Sequence, residues 1–403
     1  MKPIGNFDIA DPKNGCTGWA IDPDTPSAAV SIAFYANQPA GTAGSVYMGN
    51  ATANLPRPDV NAATGYPGNH GFNWVIPTHF LNPCQPRVYV YAIDTSGTGV
   101  NPLLSGSPKI MPLLVESVSN GATTPIVVTA SSRFGGAIDS INWKNLEFIN
   151  SSDHGRCLQS ASQFYDYANS WSPECYNPTE AGSNADGSGS CSHSQINAMS
   201  ASANVLHTQC NMAFYCAPGS SSPGCASAVN TVATSSHLLE KTVTVGISAA
   251  IYNSQNIIQY DVTYTIPSTE THLAKGTFEI IAAYINGGNF TTVRLYDQPS
   301  QGLAQVSIPT NFTTTPKPVI ISTEDNQWAI GIYSPIVTQN QSTSLGGYDY
   351  SGSPNDYIKT GLVKYLDNII AGNQYTFRFY LIIGTLTDVQ TSLIELIAAF
   401  PNT

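Results

Sequence analysis

The chain has 403 residues and a formal net charge of −11, and only 10% of its residues are charged, against roughly 25% in ordinary soluble domains. Its 15 Lys and Arg are scattered, which excludes nucleic acid as a partner, because phosphate binding needs them clustered. The same balance excludes an anionic membrane surface, and the length predicts two domains.

Residues 1–113 carry short runs of alternating apolar residues between Gly, Pro, Asn and Asp. Ala29 to Tyr35 and Arg87 to Ile93 are examples. Period two with frequent turn signals predicts an antiparallel sandwich. The segments Gly5-Asn6-Phe7-Asp8, Gly18-Trp19-Ala20-Ile21-Asp22-Pro23-Asp24, Arg57-Pro58-Asp59-Val60, His70-Gly71-Phe72 and Tyr91-Ala92-Ile93-Asp94 resemble an immunoglobulin-like accessory module of secreted bacterial proteins and carbohydrate-active enzymes. Asp11, Asp22 and Asp24 read as turn formers rather than calcium ligands, since no EF-hand order or carboxylate ladder surrounds them.

A link around Val115 to Thr124 leads into residues 125–403, where longer strands are expected. From Ile258 to Ile266 apolar residues alternate with Gln, Asp and Thr, giving one buried and one wet face. Lys241 to Tyr252, Lys275 to Ile285, Pro318 to Thr323, Trp328 to Tyr333 and Tyr375 to Gly384 continue the pattern. One helix is expected, Thr387 to Ala399, capped by Thr387, with Val389, Leu393, Leu396 and Ile397 on one face and Pro401 after it. Arg133 to Ile141 followed by Leu146 to Asn150 resembles the first hairpin of the galactose-mutarotase-like β-supersandwich, the double sheet of sugar epimerases and several polysaccharide lyases. The expected fold is therefore all-β: an immunoglobulin-like sandwich, then a large antiparallel supersandwich with a C-terminal helix.

Eight cysteines without a CxxC pair predict disulfides rather than a zinc or redox site. One bridge is expected between Cys16 and Cys84. Three more are expected among Cys157, Cys175, Cys191, Cys210, Cys216 and Cys225; about 15 pairings of six cysteines stay open, of which the short Pro/Gly/Ser loop suggests Cys216 to Cys225. Sequons stand at Asn50, Asn150, Asn289, Asn311 and Asn340. No apolar run reaches the length of a membrane span, and Met1-Lys2-Pro3-Ile4-Gly5 is not followed by a signal-peptide core. A secreted or cell-surface location would then imply a leader already removed.

Between Asp153 and Asp186 the chain gathers His154, Arg156, Asp166, Glu174 and Glu180, while Gly187 to Leu239 contains no Asp, Glu, Lys or Arg. Sugar chemistry in supersandwich enzymes uses a histidine as acid or base with a carboxylate or an arginine beside it. That resemblance implies His154 as acid or base and Glu180 as its carboxylate partner. It further implies Glu174 as a second acid and Arg156 as a fork for a substrate hydroxyl or carboxylate. Gln159, Trp171, Tyr176, Asn177, Asp186 and His193 are the expected substrate contacts, the rings by stacking on sugar C–H faces. Plainer roles stand beside these: Arg156 with Asp153 as a loop ion pair, and Asn177 to Glu180 as an Asx-turn or cap. His193 and His207 are further acid or base candidates. No HExxH or His-x-His spacing is present, so neither metal nor cofactor is expected.

The expected function is that of a secreted carbohydrate-active protein with a polysaccharide or glycan as partner, acting by hydrolysis or β-elimination. The alternative is a non-catalytic surface protein, homo-oligomeric or filamentous, assembled by strand addition with Met1 to Thr17 as donor.

Overall fold

Alternation of apolar and polar side chains is realised as antiparallel strands along nearly the whole chain. The computed structural model describes residues 1–81, 86–95, 100–165, 177–220, 230–308, 313–315, 317–335, 341–348 and 356–401. Among the described residues no helix is long and apolar enough to cross a membrane. The chain divides into two units, Met1–Leu114 and Val115–Thr403.

In the first unit, Ile4–Asp11, Gly15–Ile21, Asn69–Trp74 and Leu55–Pro56 form one four-stranded sheet. Val46–Ala53, Val30–Ala36, Arg87–Ala92 and Lys109–Ile110 form the other. Phe34 of the second sheet stacks on Trp74 of the first at 4.4 Å and meets Phe72 edge-on at 5.9 Å, so the inward faces share one aromatic core. The short helix Pro58–Thr64, with Pro at its start and Gly65 left-handed at its end, was not anticipated, although Pro first and Gly last is the ordinary punctuation of a helix. Asp11 accepts from the Lys13 and Asn14 backbone and Asp22 from the Asp24 backbone, which is turn formation. The proposed donor segment is already paired within its own sheet, Ile4–Asp11 against Gly15–Ile21.

The second unit begins earlier than the sequence suggests. Val115–Ser119 lies in the expected link, but Val118 is buried and the segment pairs with Ile126–Ser131. A first sheet continues through Ile138–Trp143, Leu158–Tyr165, Lys275–Asn286, Tyr357–Asp367 and Gln341–Tyr348. A second runs through Gln195–Ser202, Val205–Phe214, Thr234–Val245, Ile257–Thr265, Gln374–Gly384, Ala329–Tyr333, Val319–Ser322 and Thr292–Asp297. The two residues Pro178–Thr179 belong to both, pairing with Ala161 on one side and with Phe214 and Ala213 on the other. Between the sheets Phe278 packs edge-on against Tyr264 at 5.0 Å, and the Tyr264 hydroxyl donates to the Glu279 carbonyl at 2.7 Å.

The helix is Leu386–Ala399, and its cap is Thr385 rather than Thr387: Thr385 and Asp388 form a capping box. Val389, Leu393, Leu396 and Ile397 are buried as expected, against Tyr333, Tyr380 and Ile382 on the outer face of the second sheet. Leu393→Ala should lower stability by about 2–5 kcal/mol, read from urea unfolding; a loss below about 0.5 kcal/mol would mean that the helix does not cover this core.

The expected set of four disulfides is not formed. Cys16, Cys157, Cys210 and Cys216 are buried thiols, and Cys191 is disulfide-bonded; Cys84, Cys175 and Cys225 lie outside the described residues. The reason is burial: Cys16, Cys157 and Cys210 are at most 2% exposed and fill core volume as small hydrophobes. Burial pushes the Cys16 thiol up to about 12 and raises those of Cys157 and Cys210 as well. These three should resist iodoacetamide at pH 8 in the native protein and react once it is unfolded in guanidinium. Native labelling as fast as that of a free thiol would show that they are not enclosed.

Candidate functional site

The expected cluster does come together, but as an interlock of loops rather than a hollow. His154 is 0% exposed. Its Nδ1 faces the Gly187 carbonyl and its Nε2 the Arg133 carbonyl, each at 2.8 Å, and its ring lies 4.9 Å from Phe134. Gln159 donates to the Arg156 carbonyl at 2.7 Å and accepts from the Ala181 N–H at 3.0 Å. Glu180, also 0% exposed, pairs with Lys241. Gly182 is needed where these strands of chain cross: its φ is +130°, and a Cβ there would meet Asp186 Oδ2 at 2.4 Å and Ser192 Oγ at 2.7 Å.

Among the described residues, the imidazole, guanidinium and carboxyl group therefore do not open on one cavity. Both His154 nitrogens are occupied by backbone oxygens, so the ring holds three loops together instead of exchanging protons with a substrate. Arg156 is ion-paired with Asp153, donates to Ser152 Oγ at 2.8 Å and stacks 4.8 Å from the Tyr357 ring, which is the plainer of its two expected roles. Asn177 is buried, and its carbonyl accepts from the Tyr215 N–H. Glu174, Trp171 and Tyr176 lie outside the described residues.

Asp186 and His193 are brought together differently. Asp186 accepts from the Ser183 and His193 backbone and faces His193 Nδ1 at 2.5 Å, and the His193 side chain is 50% exposed. Thr234, at the start of Thr234–Val245, donates to the His193 carbonyl at 2.7 Å. His207 lies on the outer face of the same sheet, 3.1 Å from Glu240.

The same strand leads to a constellation that the sequence reading missed. His237 sits on its inward phase with Ser235, Leu239 and Lys241, and its ring stacks on Phe164 at 4.6 Å. His237 Nε2 meets Glu270 Oε2 at 2.7 Å, and His272 Nδ1 meets Glu270 Oε1 at 2.7 Å. The Thr271 and His272 backbone N–H groups also donate to Oε1, each at 2.8 Å. Burial pushes the Glu270 carboxyl up, but the bonds from His237, His272 and the His272 backbone outweigh it and hold the group well below the ordinary carboxylate range.

An ionised carboxylate only accepts, so both rings donate to it, which fixes the His272 tautomer with a proton on Nδ1. The three side chains line a pocket of about 380 Å³ together with Phe214, Asn230, Thr231, Ser235, Ser236, Thr269 and Thr271. One signal was available: Glu270 and His272 are two residues apart, the spacing that shares a face in extended chain. The other partner, His237, is remote in sequence. A second hollow of about 450 Å³ brings Trp328 beside Glu324 and Asp325 without an imidazole. Among the described residues no three His, Cys, Asp or Glu side chains converge as a metal set.

The fold resembles those of an aldose 1-epimerase candidate and a heparan sulfate lyase. The candidate, from Escherichia coli K12, is 10% identical, with 68% of this chain and 100% of that chain covered and a TM-score of 0.40. The lyase, from Pedobacter heparinus, is 10% identical over 67% of this chain, with a TM-score of 0.33; only 35% of the lyase's own length is spanned. No family model and no curated protein matches the chain.

Because the native Glu270 carboxyl is lowered, its contribution to stability is present above the unfolded-state value of about 4.3. It is lost as pH falls from there through the native value. Glu270→Gln should flatten that part of the acid-unfolding curve and cost about 1–3 kcal/mol at neutral pH. An unchanged curve would mean that the carboxylate is not clamped in solution.

Proposed function

We propose that the chain is a secreted or cell-surface carbohydrate-active protein whose larger unit takes a glycan at the His237, Glu270 and His272 pocket. The observation that carries this reading is a carboxylate clamped by two imidazoles in the lining of a pocket that also presents hydroxyls and an amide. Thr231, Ser235, Ser236, Thr269, Thr271 and Asn230 supply donors and acceptors for sugar hydroxyls, and Phe214 supplies an apolar wall for C–H groups. The volume suits one or two sugar rings.

His272 acts as acid or base through Nε2, oriented by Glu270 in the way a carboxylate orients a catalytic imidazole. Glu270 is the one carboxylate among the described lining residues, and it is already engaged by both rings. Hydrolysis by two carboxylates roughly 5–9.5 Å apart is therefore less well supported than proton abstraction and β-elimination on a uronate-bearing chain. The half-exposed His193, held by the buried Asp186 carboxylate and tethered to the same strand, is the proposed outer contact. The filament alternative loses its donor strand to the hairpin Ile4–Asp11 with Gly15–Ile21.

The test is a panel of uronic and neutral polysaccharides, followed by ultraviolet absorbance for unsaturated products and by calorimetry for binding. His272→Ala should reduce turnover about 10²–10⁴-fold with little change in the folded spectrum, whereas His154→Ala should lower the melting temperature. Full activity in His272→Ala, or no binding of any glycan by the wild type, would remove this assignment.

A further inference from the structure

Glu180 follows Pro178–Thr179, and Lys241 lies within Thr234–Val245. They form an ion pair whose side chains are 0% and 1% exposed. An ammonium brings three donors and a carboxylate about four acceptor sites. Beyond each other, however, these two groups have one hydrogen-bond partner apiece. Lys241 Nζ donates to the Gly136 carbonyl at 2.8 Å, and Glu180 Oε2 accepts from the Ser160 N–H at 3.0 Å. Glu180 Oε1, the oxygen that faces Lys241 Nζ, has no further partner, and the Tyr260 ring lies 5.7 Å from Nζ. Two full charges are poorly served by such a site. One acceptor and one donor are, by contrast, what a secondary amide requires.

We propose that Glu180 and Lys241 condense into an intramolecular isopeptide bond. The Lys241 ammonium passes a proton to the carboxyl group, and the neutral Nζ adds to Glu180 Cδ. The Cδ–Oε1 bond breaks and Oε1 leaves as water with two of the three ammonium hydrogens. The third stays on the amide nitrogen and keeps its bond to the Gly136 carbonyl. Oε2 becomes the amide oxygen and keeps the Ser160 N–H, which also faces it while negative charge builds on addition. Atoms and charge balance without oxidant, metal or cofactor.

Burial raises the Glu180 carboxyl despite the opposing effects of Lys241 and Ser160, which favours the neutral acid over the carboxylate. Fixed proximity supplies the high effective concentration that amide formation needs. The bond would join the two sheets covalently, because the Glu180 N–H donates to the Ser160 carbonyl on Leu158–Tyr165 while Lys241 pairs with Thr208 and Val262. It is independent of the glycan reading and stands or falls separately.

The test is the intact mass of the full chain made in a bacterial host, with its cysteines reduced. The expected result is a mass below that of the sequence by one water, about 18 Da, together with a tryptic branched peptide linking the Glu180 and Lys241 segments and no cleavage after Lys241. Lys241→Met should restore the missing mass and lower the melting temperature. The full sequence mass with cleavage after Lys241 in the wild type overturns the proposal, and so does a deficit without the branched peptide, whether or not Lys241→Met folds.

Discussion

The larger unit depends on how it satisfies polar groups where its two sheets meet. Pro178–Thr179 pairs with both sheets, and the chain on either side of it would otherwise leave backbone N–H and C=O groups buried without partners, each costing about 1–3 kcal/mol. His154, Gln159, Glu180 and Ser183 are spent on that problem. They reach carbonyls and N–H groups of loops far apart in sequence, at Arg133, Gly187, Arg156, Ala181, Ser160 and Tyr215. A concentration of polar and ionisable residues in a chain with few charges can thus mark a junction as well as an active site.

That distinction sets what the sequence could tell. Strand positions were mostly legible because period-two alternation reports a sheet face directly: Ile257–Thr265, Lys275–Asn286 and Gln374–Gly384 fall within about a residue of their expected limits, whereas the strand expected from Lys241 to Tyr252 is Thr234–Val245. The helix was legible through the spacing of Val389, Leu393, Leu396 and Ile397, while its cap lay two residues upstream because Thr385 reaches the Asp388 N–H. Val115–Ser119 was hidden by its serines, which occupy the wet phase of a genuine strand.

The candidate site was less legible, for a different reason. His154 and Glu180 carry the residue types of a catalytic pair, and nothing local announces that carbonyls and a lysine from remote segments will enclose them. His237 and Glu270 are far apart in sequence and meet only because Thr234–Val245 delivers one to the loop that carries the other. The cysteines follow the same logic. An even count suggests pairing, yet inward strand positions such as Cys16 and Cys210 hold thiols as ordinary core residues.

The helix Leu386–Ala399 comes after every strand it covers. During synthesis the outer face around Tyr333, Tyr380 and Ile382 must therefore wait, bare and apolar, until this later segment has left the ribosome. A nascent chain stalled short of the helix would present a sticky sheet to its neighbours, a stage at which a chaperone has much to shield.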